Sequence, residues 1–288
     1  MTPDELVQKI RDDRAHGASE LACQCLAGLA DHARSARARN ASLLTVQLVA
    51  LAHRLQQARP AMAPITNLIN HWLTAVEKEP ADDLEVVRQQ AIDNAQWLIA
   101  ESRQAVSKAA SHAAALIGAN KTIMTHSLSS TVVAVFELLT PHARAIVTES
   151  RPPAEGRRLA KALSELGITT DFITDQQMGL FVPHADVILV GADTVAAEGS
   201  VVNKAGTYLL ALAASEQGIP FYACFESCKR SRFAPADIVL ERHDPDEYDA
   251  PRLPNVTPHN VYFDVTPPSL VTAWITELGV SRERGLSA

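Results

Sequence analysis

A change of pattern near Gly118 constrains the fold of this 288-residue chain more than any other feature. Up to about residue 117 the apolar residues recur at helical spacing, without a convincing strand-like alternation. Beyond Gly118, short runs rich in β-branched residues alternate with helical segments. That alternation predicts a parallel sheet with helices on both faces. We therefore predict an α/β protein, with a helical domain over residues 1–117 and a sheet domain over residues 118–288.

The overall composition is that of a globular protein with ample material for a core, because 47% of the residues are hydrophobic and 20% are charged. The net charge of −7 gives no general attraction to nucleic acid or to an anionic membrane. No apolar run approaches the roughly 20 residues that span a bilayer, and the charged N-terminus lacks the apolar core of a signal peptide. We expect a cytoplasmic protein without a direct nucleic-acid or membrane partner.

The spacing of cysteine and histidine gives no indication of a metal site. In a chain of this length without a secretion signal, cysteines are expected to be reduced thiols, and paired knuckles with zinc spacing are absent. The ten histidines likewise show no ligand spacing. We predict neither a metal nor another cofactor. The four cysteines are Cys23, Cys25, Cys224 and Cys228.

Polar clusters follow four of the predicted strands. Ligands of parallel α/β sheets bind beyond the carboxyl ends of the strands, so these clusters are expected to converge on one edge. Convergence of several strand ends indicates a site more strongly than any one cluster does. The clusters are Thr125-His126-Ser127, Thr148-Glu149-Ser150-Arg151, Gly191-Ala192-Asp193 and Glu226-Ser227-Cys228-Lys229.

The stretch "VILVGADTVAAEGSVVNKAGTY" carries three candidate site residues. Asp193 can act as a general acid or base if it is partly desolvated, since burial raises the pKa of a carboxyl group. The more common role of an aspartate after a strand is a cap or turn. The pattern places Asn203 and Lys204 at a helix start, where Lys204 and the first N–H groups would attract a phosphate. The alternative for Lys204 is a solvated surface lysine.

Several stretches resemble one protein family over nearly the whole chain. The stretch "GADTVAAEGSVVNKAGTYLLALAASEQGIPFY" closely resembles the signature of the superfamily that holds the alpha, beta and delta subunits of eukaryotic translation initiation factor 2B. Methylthioribose-1-phosphate isomerase and ribose-1,5-bisphosphate isomerase belong to it too. The segments "VTESRPPAEGRRLAKALSELGI", "VYFDVTPPSLVTAWITELG" and "ARPAMAPITNLI" resemble further parts of the family pattern. The resemblance implies a helical N-terminal domain, a Rossmann-like C-terminal domain and dimerisation through the latter.

The resemblance also implies roles for individual residues. Asp193 matches the catalytic aspartate of the isomerases, and Asn203 and Lys204 match their substrate-contacting Asn-Lys pair. In the isomerases an Arg-Gly-Ala loop lies near the N-terminus. The matching residues here are His16-Gly17-Ala18, with a histidine that is mostly neutral at pH 7 in the arginine position. Arg59 lies in the stretch that resembles the family's Arg-Pro-Thr-Ala loop.

The turn after the first predicted strand lacks the thiol of the isomerases. They place a catalytic cysteine there, whereas Ser127 follows Thr125 and His126 in this chain. A thiol readily loses its proton to give a thiolate, whereas a serine hydroxyl does not unless a neighbouring base activates it. Adjacent residues on an extended strand point to opposite faces, so a dyad of His126 and Ser127 requires a sharp bend. The family pattern of the regulatory alpha subunit also lacks the cysteine, and "THSLSS" resembles that version more.

A few further residues are candidates to contact a ligand. Arg151 lies at a predicted strand end, and arginine grips phosphate bidentately. Arg157-Arg158 are an alternative, although the start of a helix is commonly solvated. Lys229 follows a strand and can also reach the site. Cys228 is a candidate replacement for the missing thiol, but most cysteines are inert.

The sequence favours one function and leaves others open. The favoured hypothesis is a homologue of the alpha-type subunits that binds a phosphorylated sugar or a nucleoside monophosphate and lacks full isomerase machinery. The alternative is an aldose-ketose isomerase acting on ribose 1,5-bisphosphate or a related phosphorylated ribose, with Asp193 as the proton shuttle. A module that regulates translation is a weaker hypothesis. The family resemblance implies a homodimer or a higher homo-oligomer.

Overall fold

The structure, a computed structural model, describes residues 1–78 and 82–283. The chain divides into two compact units, Met1–Gln104 and Ala105–Ala288. This division falls inside the longest helix and precedes the predicted domain boundary after residue 117, which stays a prediction. In the described ranges, no helix combines the length and the apolar character needed to cross a membrane.

The first unit is helical, as the spacing of its apolar residues predicts. Over residues 1–78 and 82–117 the helices are α1 Pro3–Asp12, α2 Ala18–Ser35, α3 Ala41–Gln56, α4 Ala63–Lys78 and α5 Leu84–Ile117. Helix α1 begins at a capping box, in which the Thr2 hydroxyl accepts the N–H of Glu5 and the Glu5 carboxylate accepts the N–H of Thr2. The Asn40 side chain caps α3 by accepting the N–H of Leu43 at 2.9 Å.

Helix α5 is the longest helix of residues 82–283 and begins beside an aspartate that caps it. The Asp83 carboxylate accepts the N–H of Glu85 at 2.8 Å, which satisfies a backbone donor that the helix itself cannot pair. The last turns of α5 belong to the second unit. There Ala109 and Ala113 are buried in the core beneath the sheet, because small side chains allow the helix to approach the strands closely.

The second unit contains the predicted alternation of strands and helices. Its strands are β1 Thr122–Thr125, β2 Arg144–Thr148, β3 Thr169–Ile173, β4 Val187–Val190, β5 Thr194–Val195, β6 Val201–Lys204, β7 Phe221–Cys224, β8 Phe263–Thr266, β9 Ala273–Thr276 and β10 Gly279–Ser281. Its helices are α6 Ser130–Leu139, α7 Gly156–Glu165, α8 Met178–Phe181 and α9 Thr207–Gln217. Strand-helix alternation after Gly118 is therefore confirmed.

Within the described residues, seven strands form the main sheet in the order β10-β9-β7-β4-β1-β2-β3. The neighbours are parallel except for β9 and β10. Successive strand residues face opposite sides, so Ile123 packs with α6 and α7, whereas Met124 packs with α9. The predicted α/β class is thus confirmed, with apolar cores on both faces of a mostly parallel sheet.

A second, antiparallel sheet corrects one prediction. Its strands β5, β6 and β8 pair in that order, and β6 includes Asn203 and Lys204, which the sequence pattern placed at a helix start. The helix begins only at Thr207. The β-branched pair Val201-Val202 and the cross-strand partner of Lys204, Phe263, favour a buried strand over a helix here.

Candidate functional site

The candidate site begins where β1 and β4 lie side by side. From this point the sheet continues through β2 and β3 in one direction and through β7 and β9 in the other. Helix α6, which follows β1, packs on one face, and α9, which follows β4 by way of β6, packs on the opposite face. Such a switch point opens a crevice beyond the carboxyl ends of the strands. The polar clusters predicted after β1, β2, β4 and β7 all follow these ends.

Two serines in the left-handed conformation turn the chain away from the strands at this edge. Ser127, after β1, has φ 70°, and Ser150, after β2, has φ 60°. Such values are uncommon for residues other than glycine. The Ser150 hydroxyl accepts the Ser127 N–H at 2.7 Å and lies 3.0 Å from the Thr148 hydroxyl. This bond joins the two turns. The sharp bend that a dyad of His126 and Ser127 would require is therefore present at Ser127.

His126 is buried and bonded through both ring nitrogens. Nδ1 lies 2.6 Å from the Thr148 hydroxyl and Nε2 lies 2.9 Å from the Ala205 carbonyl oxygen. Because a carbonyl oxygen only accepts, the proton is assigned to Nε2, and Nδ1 accepts from Thr148. Burial lowers the pKa of His126, although the Ala205 bond and the Asp175 carboxylate oppose that change. The ring is neutral and both of its nitrogens are bonded to residues other than Ser127, so a dyad of His126 and Ser127 does not form.

The Ser127 hydroxyl instead donates to Glu155, which the sequence analysis did not single out. Ser127 Oγ lies 2.5 Å from Glu155 Oε2, and Glu155 Oε1 lies 3.2 Å from Lys204 Nζ. One carboxylate thus bridges the Ser127 hydroxyl and a buried ammonium. Hydrogen bonds in which one partner is charged are stronger than those between neutral groups. The Glu155 carboxylate is therefore held firmly between its two donors.

Lys204 is 3% exposed, which excludes the solvated surface lysine considered above. Its ammonium lies 4.2 Å from the centre of the Tyr262 ring and 5.3 Å from that of Phe263. These ring faces attract a cation, and Glu155 provides its counter-charge. The neighbouring Asn203 donates its amide to the Thr207 hydroxyl at 3.0 Å, so it secures the start of α9.

A second buried ion pair joins Lys229 and Glu226 beyond β7. Lys229 Nζ lies 2.9 Å from Glu226 Oε2, and both side chains are almost fully buried. Burial works to lower the pKa of Lys229, but the charges of Glu226 and Asp193 outweigh it and raise that pKa. Lys229 is therefore charged. The half-buried Asp193 lies within its electrostatic reach, and its N–H donates to the Val202 carbonyl at 2.9 Å.

Arg151 lies in the loop after β2 with an exposed side chain. Its backbone N–H and that of Ser150 donate to the two oxygens of Asp175 at 2.8 and 2.7 Å. Arg157 forms an ion pair with Glu149 on the same loop. The role of Arg151 as a phosphate contact stays a prediction.

The candidate residues of the first unit form a cluster around Asp13. His16 Nδ1 lies 2.8 Å from the Asp13 carboxylate, and the buried Arg59 donates to the Asp13 carbonyl at 3.0 Å. Gly17 precedes α2, and Ala18 is its first residue. Burial works to raise the pKa of Asp13, but the bonds from His16 outweigh it and lower that pKa. Their role as ligand contacts stays a prediction.

Thr125, the last residue of β1, carries a buried hydroxyl that has no hydrogen-bond partner within residues 1–78 and 82–283. Its position agrees with a polar contact to a ligand, which stays a prediction. In those same ranges, no three His, Cys, Asp or Glu residues are grouped so that they could hold a metal ion.

The residues that sequence reasoning missed lie mostly in the loop after β2. Glu155 follows two prolines in "ESRPPAEG". Its charge, so close to the polar cluster after β2, was the signal that could have identified it as a site residue. Thr148 and Ser150 were named only as members of a cluster, although they hold His126 and Ser127. Glu226 was likewise named only as a member of a cluster, without the ion pair that it forms with Lys229.

Comparison with known proteins finds one family over almost the whole chain. The model of the initiation factor 2 subunit family matches residues 14–283. A translation initiation factor eIF-2B subunit 2-like protein of Pyrococcus abyssi is 34% identical over 97% of this chain and 97% of its own length. A ribose 1,5-bisphosphate isomerase of Haloferax volcanii is 32% identical over 91% of this chain and 83% of its own.

Solved structures agree with this result. The translation initiation factor eIF-2B of Pyrococcus horikoshii OT3 superposes with a TM-score of 0.85 at 34% identity, covering 97% of this chain and 96% of that one. The 5-methylthioribose 1-phosphate isomerase of the same organism gives a TM-score of 0.81 at 26% identity, covering 98% and 84%. The similar proteins therefore include both factors and isomerases.

Proposed function

Because this chain belongs to the initiation factor 2 subunit family, we propose that it binds a phosphorylated sugar or a nucleoside monophosphate at the carboxyl edge of its main sheet and lacks full isomerase activity. Relatives named as isomerases of ribose 1,5-bisphosphate and of 5-methylthioribose 1-phosphate support a phosphorylated ligand. The proposed ligand contacts in the second unit are Thr125, His126, Arg151, Asn203, Lys204 and Lys229.

The observation that carries this proposal is the buried ammonium of Lys204 beside the Ser127 turn. A desolvated cation at the switch point of a parallel sheet is suited to an anionic ligand group, because water no longer screens its charge. The N–H and hydroxyl groups of the adjoining turns are suited to oxygen atoms of the same ligand.

The proton-transfer chemistry of an isomerase is incomplete in this arrangement. A thiol readily yields a thiolate, whereas the hydroxyl of Ser127 donates to Glu155 and would need a base. Transfer of the Ser127 proton to Glu155 would neutralise the carboxylate and remove the partner of the buried Lys204. Asp193 remains as the residue that matches the family's catalytic aspartate.

One observation favours the alternative function. The Ser127 hydroxyl has a carboxylate acceptor at 2.5 Å, which is the geometry of a nucleophile or acid next to its base. The carboxylate of Asp193 lies near Lys229 at the same edge of the main sheet. Together with the pair of Ser127 and Glu155, it gives this edge two acid-base groups. An aldose-ketose isomerase acting on a phosphorylated ribose is therefore the second candidate.

Binding is tested by thermal shift with ribose 5-phosphate, ribose 1,5-bisphosphate, fructose 6-phosphate and AMP. A ligand at about 100 times its Kd stabilises the folded state by about 2.7 kcal/mol, so the melting temperature rises. Lys204→Ala should reduce the shift. Lys161→Ala removes an exposed lysine of α7 and should leave it unchanged. If no phosphorylated compound shifts the wild-type transition at millimolar concentration, the binding function is wrong.

Catalysis is tested by following the ketose product by NMR with ribose 1,5-bisphosphate and methylthioribose 1-phosphate. The expected result is no turnover beyond a trace. Turnover near one per second that Asp193→Asn abolishes would establish the isomerase instead, because ordinary enzymes work at about that rate or faster.

The assembly that fits this family is a homodimer, or a higher homo-oligomer, formed through the second unit. Helix α9 exposes apolar side chains, with Leu209 64% and Leu212 40% exposed, and Tyr208 lies beside them. Burial of such a face by a second copy would stabilise an oligomer. Light scattering should give at least twice the 31.1 kDa chain mass. Leu209→Glu combined with Leu212→Glu should reduce it, and a monomer mass for the wild type contradicts the assembly.

A further inference from the structure

Glu155 stands at the N-terminus of α7 but does not cap that helix. Glutamate is not among the preferred capping residues, and within the described part of the chain its side chain makes no capping bond. The carboxylate reaches Ser127 and Lys204 instead. Capping of α7 therefore does not explain the orientation of the Glu155 side chain.

The two groups that hold the Glu155 carboxylate are also a suitable donor set for a phosphoryl group. Lys204 supplies an ammonium to one oxygen and Ser127 supplies a hydroxyl to the other. A phosphoryl group likewise presents several anionic oxygens to ammonium and hydroxyl donors. A phosphoryl oxygen would therefore compete with the carboxylate for the same two donors.

We propose that Glu155 competes with the phosphoryl group of a ligand for Lys204 and Ser127, and that ligand binding replaces its carboxylate on these two donors. This inference rests on the proposed ligand-binding function and adds to it the subsite and the residue that must leave. Glu155 is then an internal competitor that sets the affinity of the site.

The burial of Lys204 explains why its ammonium needs a counter-charge whether or not a ligand is bound. An ammonium removed from water without a counter-charge is strongly destabilising. Glu155 provides the counter-charge in the absence of ligand, and the phosphoryl group provides it afterwards. Lys204 is thus paired in both states.

The exchange requires movement of one side chain. On one side of the loop, Asp175 holds the N–H groups of Ser150 and Arg151. On the other side, a Cβ added to Gly156 would lie 1.8 Å from the Thr148 carbonyl oxygen, so the start of α7 lies directly against β2. The backbone around Glu155 is therefore anchored. Its side chain is 15% exposed, which leaves it a route towards water.

The competition also gives the site a preference among ligands. A neutral sugar supplies no charge to Lys204 and cannot replace the carboxylate. A phosphorylated sugar can. We therefore expect ribose to bind far more weakly than ribose 5-phosphate, and expect this difference to depend on Lys204.

The test is isothermal titration of ribose 5-phosphate and AMP into the wild type, Glu155→Gln and Glu165→Gln. Glu155→Gln keeps the shape and removes the competing charge. If the open state is about 1–10% populated in the wild type, the variant binds about 10–100-fold more tightly. Glu165→Gln makes the same change of net charge at the exposed far end of α7 and should bind like the wild type. Circular dichroism checks that each variant is folded.

The outcomes separate the inference from the proposed function. Equal or weaker binding by Glu155→Gln, with wild-type binding that Lys204→Ala removes, contradicts the competition and leaves the binding function intact. Absence of binding by both the wild type and Glu155→Gln contradicts both. Should Glu155→Gln fail to fold, Glu155→Asp retains the charge but is too short to bridge both donors, and it should also bind more tightly than the wild type.

Discussion

The Nε2 atom of His126 lies 2.9 Å from the carbonyl oxygen of Ala205, and this contact joins the end of β1 to the turn that follows β6. The other ring nitrogen accepts from Thr148 at the end of β2. A single neutral imidazole therefore fixes three segments of the site relative to one another.

Neutral burial of His126 should make stability depend on pH. Its pKa is lowered from the usual 6.5 by burial, so below pH 6.5 the unfolded chain binds a proton that the folded one does not. Stability from this group is full above pH 6.5 and falls as the pH decreases, by at most about 1.4 kcal/mol per pH unit. Urea unfolding between pH 5 and 8 should show a shallower decrease for His126→Gln. The exposed His184→Gln serves as control, and equal slopes for His126→Gln and the wild type contradict this prediction.

Gly206 should not tolerate a side chain. Its φ of 111° is in a region that favours glycine, and an added Cβ would lie 2.9 Å from His126 Nε2. Gly218 has φ 67° but open space around it, so it is a matched control. Gly218→Ala should cost about 1–2 kcal/mol from the backbone alone. Gly206→Ala should cost about 1–3 kcal/mol more from steric overlap, measured by urea unfolding. Equal losses in the free energy of unfolding for the two variants would show that His126 moves aside without a cost in stability, which contradicts the prediction.

The buried pair of Lys229 and Glu226 should be sensitive to the loss of one partner. Glu226→Gln leaves a buried ammonium without its carboxylate, and we expect a loss of about 3–5 kcal/mol in the free energy of unfolding. Replacing both partners, Glu226→Leu with Lys229→Met, should recover most of it. The exposed pair of Lys161 and Glu165 is the control, where Glu165→Gln should cost less than about 1 kcal/mol. Additive losses in the double variant count against this interpretation.

Restoring a thiol at position 127 should not restore an isomerase by itself. In Ser127→Cys the neighbouring Glu155 carboxylate disfavours the thiolate, which raises the pKa of the new thiol. In a Cys228→Ser background, alkylation by iodoacetamide should therefore be slower for Ser127→Cys than for Ser127→Cys with Glu155→Gln. The remaining cysteines are buried. Fast alkylation, or turnover near one per second, by Ser127→Cys alone contradicts the role assigned to Glu155.

The sequence predicted the backbone better than the site. Periodicity fixes which segments are strands and helices, and the parallel order then brings the ends of β1, β2, β4 and β7 to one edge. Asn203 and Lys204 were misplaced because a helix follows them after only two residues, and the short strand β6 gives little periodic signal. Glu155 was missed because its partners are Ser127 and Lys204, distant in sequence, and a side-chain ion pair leaves no local pattern.

The left-handed backbone at Ser127 restricts which residues evolution can place at the centre of the site. β-Branched side chains are strongly disfavoured at such φ values, so threonine, valine and isoleucine are poor replacements. Serine and cysteine have the same branching and differ in a single atom. A lineage with this fold can therefore change between a hydroxyl and a thiol without remodelling the turn, and the charges around position 127 then set the acidity of that group.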